Sequence, residues 1–267
     1  MQVVSAQLPP IQHSDDKIFT TGNAVILLDG ASAFVPVPVP ASTYADQLGR
    51  ALQYSLAAYP DADLRAALAA AIQSTALELG LQPVESPSST ITILRELGDH
   101  LDLLVLGDNL VMLPDETITD DRVDRLELPP RRKYRERLAA GAGFDEEHRA
   151  ILRELQTQQA QRRNRVGGYW TAETDPAAAW QAITRRRRVS RTPWAILASD
   201  GAYNTMQYLG ITDWSTLAAA DTEELDTTLM RCQCWETAND PAGAALPRAK
   251  CHDDKSLAVV TFTGDPR

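Results

Sequence analysis

The run Ala24-Val25-Ile26-Leu27-Leu28 ends abruptly in Asp29-Gly30, and this stretch constrains the fold more than any other. Small and aliphatic residues without polar alternation read as a strand buried on both faces. The carboxylate at its end stands where a core strand meets solvent, a rigid place to hold a charge that would be costly to bury alone. The same pattern recurs at Trp194-Ala195-Ile196-Leu197-Ala198-Ser199-Asp200-Gly201. The pair Asp253-Asp254 immediately precedes the strand-like run Leu257-Ala258-Val259-Val260-Thr261-Phe262. Three strand-edge carboxylate sites gathered from the whole length of a chain suit a hard divalent cation, because magnesium and manganese prefer oxygen ligands.

A length of 267 residues with 44% hydrophobic content supports one substantial core, so a single domain over 1–267 is expected. The net charge of −10 argues against a nucleic-acid or anionic-membrane partner. No apolar run approaches membrane-spanning length, and no basic segment leads into an apolar one at the start. Three cysteines suggest no disulfide framework, which makes a reduced, cytoplasmic protein the expectation. The residues leave the oligomeric state open.

Gln2–Gln7 and Lys17–Thr20 read as short strands, and the Gly22-Asn23 turn makes the second of them a hairpin with Ala24–Leu28. Ala41–Tyr59 has a helical period, and Asp61–Leu79 gives a second helix with an aspartate near its start and Gly80 at its end. Ser88–Leu94, Leu101–Leu106 and Leu110–Leu113 read as strands of one antiparallel meander, followed by an acidic loop at Asp115–Asp124. The segment Arg131–Arg165 is strongly charged, with helical spacing from Phe144 to Gln161, and Pro129-Pro130 and Gly167-Gly168 bound it. It reads as a mobile insertion, a flap over the sheet. Asp175–Thr184 reads as a short helix whose solvated end is the run Arg185-Arg186-Arg187-Arg188. Helices are expected again at Tyr203–Leu209 and Thr222–Thr237.

In this order, Ser14-Asp15-Asp16, Leu28-Asp29-Gly30, Pro87-Ser88-Ser89-Thr90, Gly107-Asp108-Asn109, Ser199-Asp200-Gly201 and Asp253-Asp254-Lys255-Ser256 form a set that resembles the metal-dependent type-2C protein Ser/Thr phosphatases, as a divergent bacterial-type member. The resemblance spans about residue 5 to residue 263. It implies an α+β fold, an αββα four-layer sandwich of two antiparallel sheets flanked by helices. It also implies two Mn²⁺ or Mg²⁺ ions. Asp29 would bridge them, the carbonyl of Gly30 would serve the first, and Asp200 and Asp253 would complete the second. Asp16 and Asp15 would hold metal-bound waters, and Asp108 would support a weak third ion. The implied reaction is hydrolysis of phosphoserine or phosphothreonine in proteins by a metal-activated water, with no phosphoenzyme and no nucleophilic Cys or Ser.

The chain departs from that family's pattern where substrate and third ion would bind. Members carry an arginine shortly before the first acidic motif to grip the substrate phosphate, whereas the first arginine here is Arg50. His13 or Lys17 would have to make that contact, although a lone histidine in a polar turn is usually just solvated. Asn204 stands where many members place an aspartate, which weakens a third site. These departures leave open a second reading: a phosphatase-fold protein without turnover that binds a phosphoprotein or a regulatory partner. Cys232-x-Cys234 with Cys251-His252 hints at zinc, but neighbouring positions on a helix or strand point apart and do not converge on one ion.

Overall fold

A computed structural model describes residues 1–262; the final positions 263–267 of the expected domain lie outside the described residues. The chain begins with β1 (Gln2–Leu8), β2 (Lys17–Thr20) and β3 (Ala24–Gly30), then α1 (Ala41–Ala58) and α2 (Leu64–Glu78). Next come β4 (Ser89–Leu97), β5 (His100–Leu106), β6 (Leu110–Met112) and β7 (Thr117–Ile118), then α3 (Pro129–Ala139) and α4 (Glu146–Ala160). The last part holds β8 (Ile183–Arg188), β9 (Trp194–Ala198), α5 (Asp200–Tyr208), α6 (Trp214–Leu217), α7 (Thr222–Ala238) and β10 (Lys255–Thr261).

Two antiparallel five-stranded sheets result, in the orders β1-β10-β9-β6-β7 and β2-β3-β4-β5-β8. The alternation of β3 shows why its run is wholly apolar. Ala24, Ile26 and Leu28 point into a cluster under α1 and α2 that includes Tyr44, Leu48 and Leu68. Val25 and Leu27 point the other way, into the layer between the sheets with Val111, Leu197 and Val260. On the far side, Ile196, Leu257 and Val259 pack against Met206, Leu225 and Leu229 of α5 and α7. The architecture is therefore an αββα sandwich with three stacked apolar layers. Among the described residues no helix is long and apolar enough to cross a membrane.

Several local expectations need correction. β6 does not continue the meander with β4 and β5; it pairs with β9 in the opposite sheet. The chain changes sheets at Gly107-Asp108-Asn109. Gly107 has φ +93°, and a Cβ there would lie 2.6 Å from the Thr90 side chain, so only glycine makes this crossing without strain. The segment at Asp175 is a 3₁₀ turn over Pro176–Gln181, and Arg185–Arg188 lie in β8, an edge strand paired with β5, not at a helix end. The charged segment after Pro129-Pro130 is a pair of helices, α3 and α4. They share a small core of Leu128, Tyr134, Leu138, Ile151, Leu152 and Leu155. α3 is not legible as a helix because its sequence is dominated by arginine, lysine and glutamate.

Candidate metal centre

Three turns meet at one edge of the sandwich, and glycines permit the meeting. At Gly30, the end of β3, a Cβ would lie 2.8 Å from the carbonyl oxygen of Asp15. At Gly201, in the first turn of α5, it would lie 2.1 Å from the carbonyl oxygen of Asp254 and 3.0 Å from Cβ of Asp253. The ends of β9 and β10 are tied by Ser199, whose amide donates to the Ser256 carbonyl (3.1 Å) and whose hydroxyl accepts from the Ser256 amide (2.9 Å). Asp254 joins the remaining turn: its carboxylate accepts from the Ser14 hydroxyl at 3.1 Å and from the Asp15 amide. The result is a rigid frame that places Asp29, Asp200 and Asp253 together from distant parts of the chain.

These three line a recess of about 400 Å³, together with Asp108 and Asn204. Asp108 comes from the sheet crossing, where its carbonyl accepts from the Tyr203 hydroxyl of α5 at 3.1 Å. Asp16 lies behind, 1% exposed, with the Ser199 and Ser256 hydroxyls beside its carboxylate but neither oxygen in a hydrogen bond of good geometry among the described residues. Asp15 stands beside it on the turn at the Gly30 contact.

The electrostatics are those of crowded carboxylates. Burial raises the pKa of Asp29 well above the usual carboxylate range, and the charges of Asp16, Asp200, Asp253 and Asp108 raise it further. Asp200 is raised in the same way, by burial first and then by Asp253, Asp108 and Asp16. Burial is also the main cause at Asp16, pushed up to about 7, and at Asp108, pushed up to about 6. Among the described residues no three His, Cys, Asp or Glu side chains form a ready-made ligand cage; the recess gathers the acids on one floor without closing them around a point. An all-oxygen donor set, mutual repulsion between its members and the buried carboxylate oxygens of Asp16 nevertheless fit a site for Mn²⁺ or Mg²⁺.

The two residues proposed for phosphate contact are elsewhere. Lys17 is 5% exposed, and its ammonium donates to the carbonyls of Ile11 (2.8 Å) and Ser14, so it braces the acidic turn from inside. His13 is exposed on that turn, and neither residue lines the recess. The sequence reading also missed cations that do line it: Arg131, Arg135, Arg163 and Arg248. The i, i+4 spacing of Arg131 and Arg135 would have put them on one face of a helix, but only once α3 was recognised as one.

No family model matches the sequence, and no curated protein matches it. Solved structures do match. The chain is similar to the PPM Ser-Thr phosphatase MsPP from Mycobacterium smegmatis in complex with cacodylate, at 18% identity over 98% of this chain and 99% of that one, with a TM-score of 0.56. It is similar to the Ser/Thr phosphatase Stp1 from Staphylococcus aureus at 13% identity over 98% and 94% of the two chains, with a TM-score of 0.57. It is similar to the catalytic domain of the Ser/Thr protein phosphatase PstP in complex with two manganese ions, at 15% identity over 97% and 96%, with a TM-score of 0.54. At such identities the likeness establishes the fold: the chain has the architecture of the PPM, or type-2C, phosphatases.

Proposed function

We propose that this chain is a divergent bacterial-type member of the type-2C phosphatases, a metal-dependent hydrolase of phosphoserine and phosphothreonine in proteins, acting in the cytoplasm. The observation that carries the reading is the meeting of Asp29, Asp200 and Asp253 on the floor of one recess, in a fold shared with phosphatases of that type. When bound, two Mn²⁺ or Mg²⁺ ions would supply a hydroxide nucleophile and neutralise charge on the phosphoryl group.

The chain's own residues hold and tune that centre. Asp29, the Gly30 carbonyl, Asp200 and Asp253 would hold the ions through protein oxygens. Asp16, with Asp15 beside it, would accept hydrogen bonds from water around the ions through its buried carboxylate oxygens. Asp108 offers a weak third position that Asn204, a neutral amide, does little to strengthen. The chain acts as one domain, with the helical pair over 131–165 as a movable cover beside the recess.

The test is hydrolysis of p-nitrophenyl phosphate with Mn²⁺, with Mg²⁺ and with EDTA. Turnover should require the metal and vanish in EDTA; full activity in EDTA would overturn the reading. The absence of any arginine before Arg50 and the presence of Asn204 favour one alternative, a phosphatase-fold protein that binds a phosphoprotein without turnover. Metal binding without hydrolysis would support it.

A further inference from the structure

Beyond the ions that Asp29, Asp200 and Asp253 would hold, a phosphate dianion in the recess needs a cation of the protein itself to orient it, and arginines line the same recess. Among the four arginines that line the recess, three are already committed. Arg163 is 7% exposed in its side chain and donates to Glu173 at 2.7 Å, to the Ser86 carbonyl at 3.2 Å and to the Tyr169 hydroxyl at 3.2 Å. Arg248 donates to the Asp240 carboxylate at 2.7 Å and to the carbonyls of Asp240, Leu246 and Cys251. Arg131 is 8% exposed and donates to the Val123 carbonyl at 2.5 Å and to Asp124 at 3.3 Å.

Arg135 differs. Its side chain is 50% exposed, its charged neighbour Asp124 stands 3.9 Å away, and its guanidinium makes no hydrogen bond among the described residues. An exposed pair at that separation holds little. Its planar fork of donors is free, and that fork matches two phosphate oxygens at once.

We propose that Arg135, one helical turn after Arg131 on α3, grips the substrate phosphate and so takes the place of the missing arginine before the first acidic motif. This rests on the phosphomonoesterase reading above. It moves the grip from a strand-edge turn to the helical pair beside the recess, so a phosphate is held between the acidic floor and α3.

Three variants test this in the Mn²⁺-loaded protein. Arg135→Ala should raise KM for p-nitrophenyl phosphate with little change in kcat, and should lower kcat/KM on the order of 10- to 100-fold, as expected for losing one charge-assisted pair. Arg135→Lys keeps the charge without the fork and should recover part of the loss. Arg132→Ala serves as control: Arg132 is 77% exposed, faces Glu136 and lies outside the recess, so its kinetics should match wild type. Calorimetric titration with inorganic phosphate gives a second readout, in which wild type should bind and Arg135→Ala should bind at least tenfold more weakly, with Mn²⁺ affinity unchanged. Phosphate binding that depends on Arg135 without turnover would support the grip and sink only the catalytic reading. Turnover with KM and phosphate affinity unaltered in Arg135→Ala would sink the grip alone. A wild type that neither binds phosphate nor hydrolyses the ester overturns both.

Discussion

Lys255 and Glu236 form an ion pair of 2.9 Å with side chains 0% and 1% exposed. Lys255 also donates to the Asp253 carbonyl at 2.8 Å. Glu236 in turn accepts from the Thr205 hydroxyl at 2.7 Å and sits 2.8 Å from Nδ1 of His252. One buried carboxylate on α7 thus fastens α5, which begins with Asp200, and the turn that carries Asp253. Glu236 also lines the recess of the candidate metal centre, so the pair ties the wall of that recess to the elements that carry two of its acids.

Removing one member should be expensive. Lys255→Met would leave Glu236 buried without its main counter-charge, which costs about 3–5 kcal/mol in comparable sites. Replacing both partners, Lys255→Met with Glu236→Leu, should cost less than the single change, because no uncompensated charge remains. Urea unfolding of the three proteins reads this out. A single variant as stable as wild type would show that the pair holds nothing.

How far the sequence reveals this structure depends on where the partners of each residue come from. Ala24–Leu28 is legible because both of its faces meet apolar layers, so its local composition carries the answer. Asp29, Asp200 and Asp253 are legible because each ends or precedes an apolar strand. The run Arg185–Arg188 is not, since its neutralising acids are remote in sequence. Arg186 meets Asp102 of β5 at 2.7 Å, Arg185 and Arg187 meet Glu116, and Arg188 lies 3.6 Å from Asp99. Four like charges look unfit for a strand until the acids that face them, one across the strand pair and the others in neighbouring turns, are known. Lys17 misleads in the opposite way: a lysine in an acidic turn suggests a ligand contact, yet its ammonium is turned inward to backbone carbonyls.

The helical pair α3–α4 is joined to the loop before Asp253 through a histidine. His148 is 1% exposed, its Nε2 lies 3.0 Å from the Ala249 carbonyl, and Nδ1 has no partner among the described residues. The carbonyl can only accept, so Nε2 carries a proton. Tyr134 and Phe144 stand edge-on at 5.7 and 5.3 Å. Burial holds the pKa of His148 below its ordinary 6.5; Arg137 adds to that, while the Ala249 contact and Asp145 oppose it. A depressed histidine pKa means that the unfolded chain takes up a proton more readily than the folded one. Stability is therefore complete above pH 6.5 and is lost as pH falls below it, until the folded-state pKa is reached. Hydrogen-exchange protection over 131–165, taken relative to Ala24–Leu28, should fall between about pH 7 and pH 5, and His148→Gln should remove the pH dependence. Protection that does not change with pH in wild type would refute the role.

The central acid gives the last prediction. Burial and the charges of Asp16, Asp200, Asp253 and Asp108 all disfavour an ionised Asp29 in the metal-free protein. Asp29→Asn relieves that repulsion, so the metal-free variant should be as stable as wild type or more so. Bound cations reverse the balance, because an amide offers one neutral oxygen and cannot bridge as a carboxylate does. Wild type should melt higher with Mn²⁺, since a ligand at a hundredfold excess over its Kd stabilises the folded state by about 2.7 kcal/mol. The variant should gain much less. Its turnover of p-nitrophenyl phosphate should fall on the order of 10³-fold, the consequence of losing about 4 kcal/mol of transition-state stabilisation. Melting curves with and without Mn²⁺, run beside the activity assay, separate these effects. A variant that melts higher without metal, lacks the metal-induced shift and loses turnover fits a shared metal ligand. One that keeps both its shift and its activity would reduce Asp29 to the residue that ends a strand.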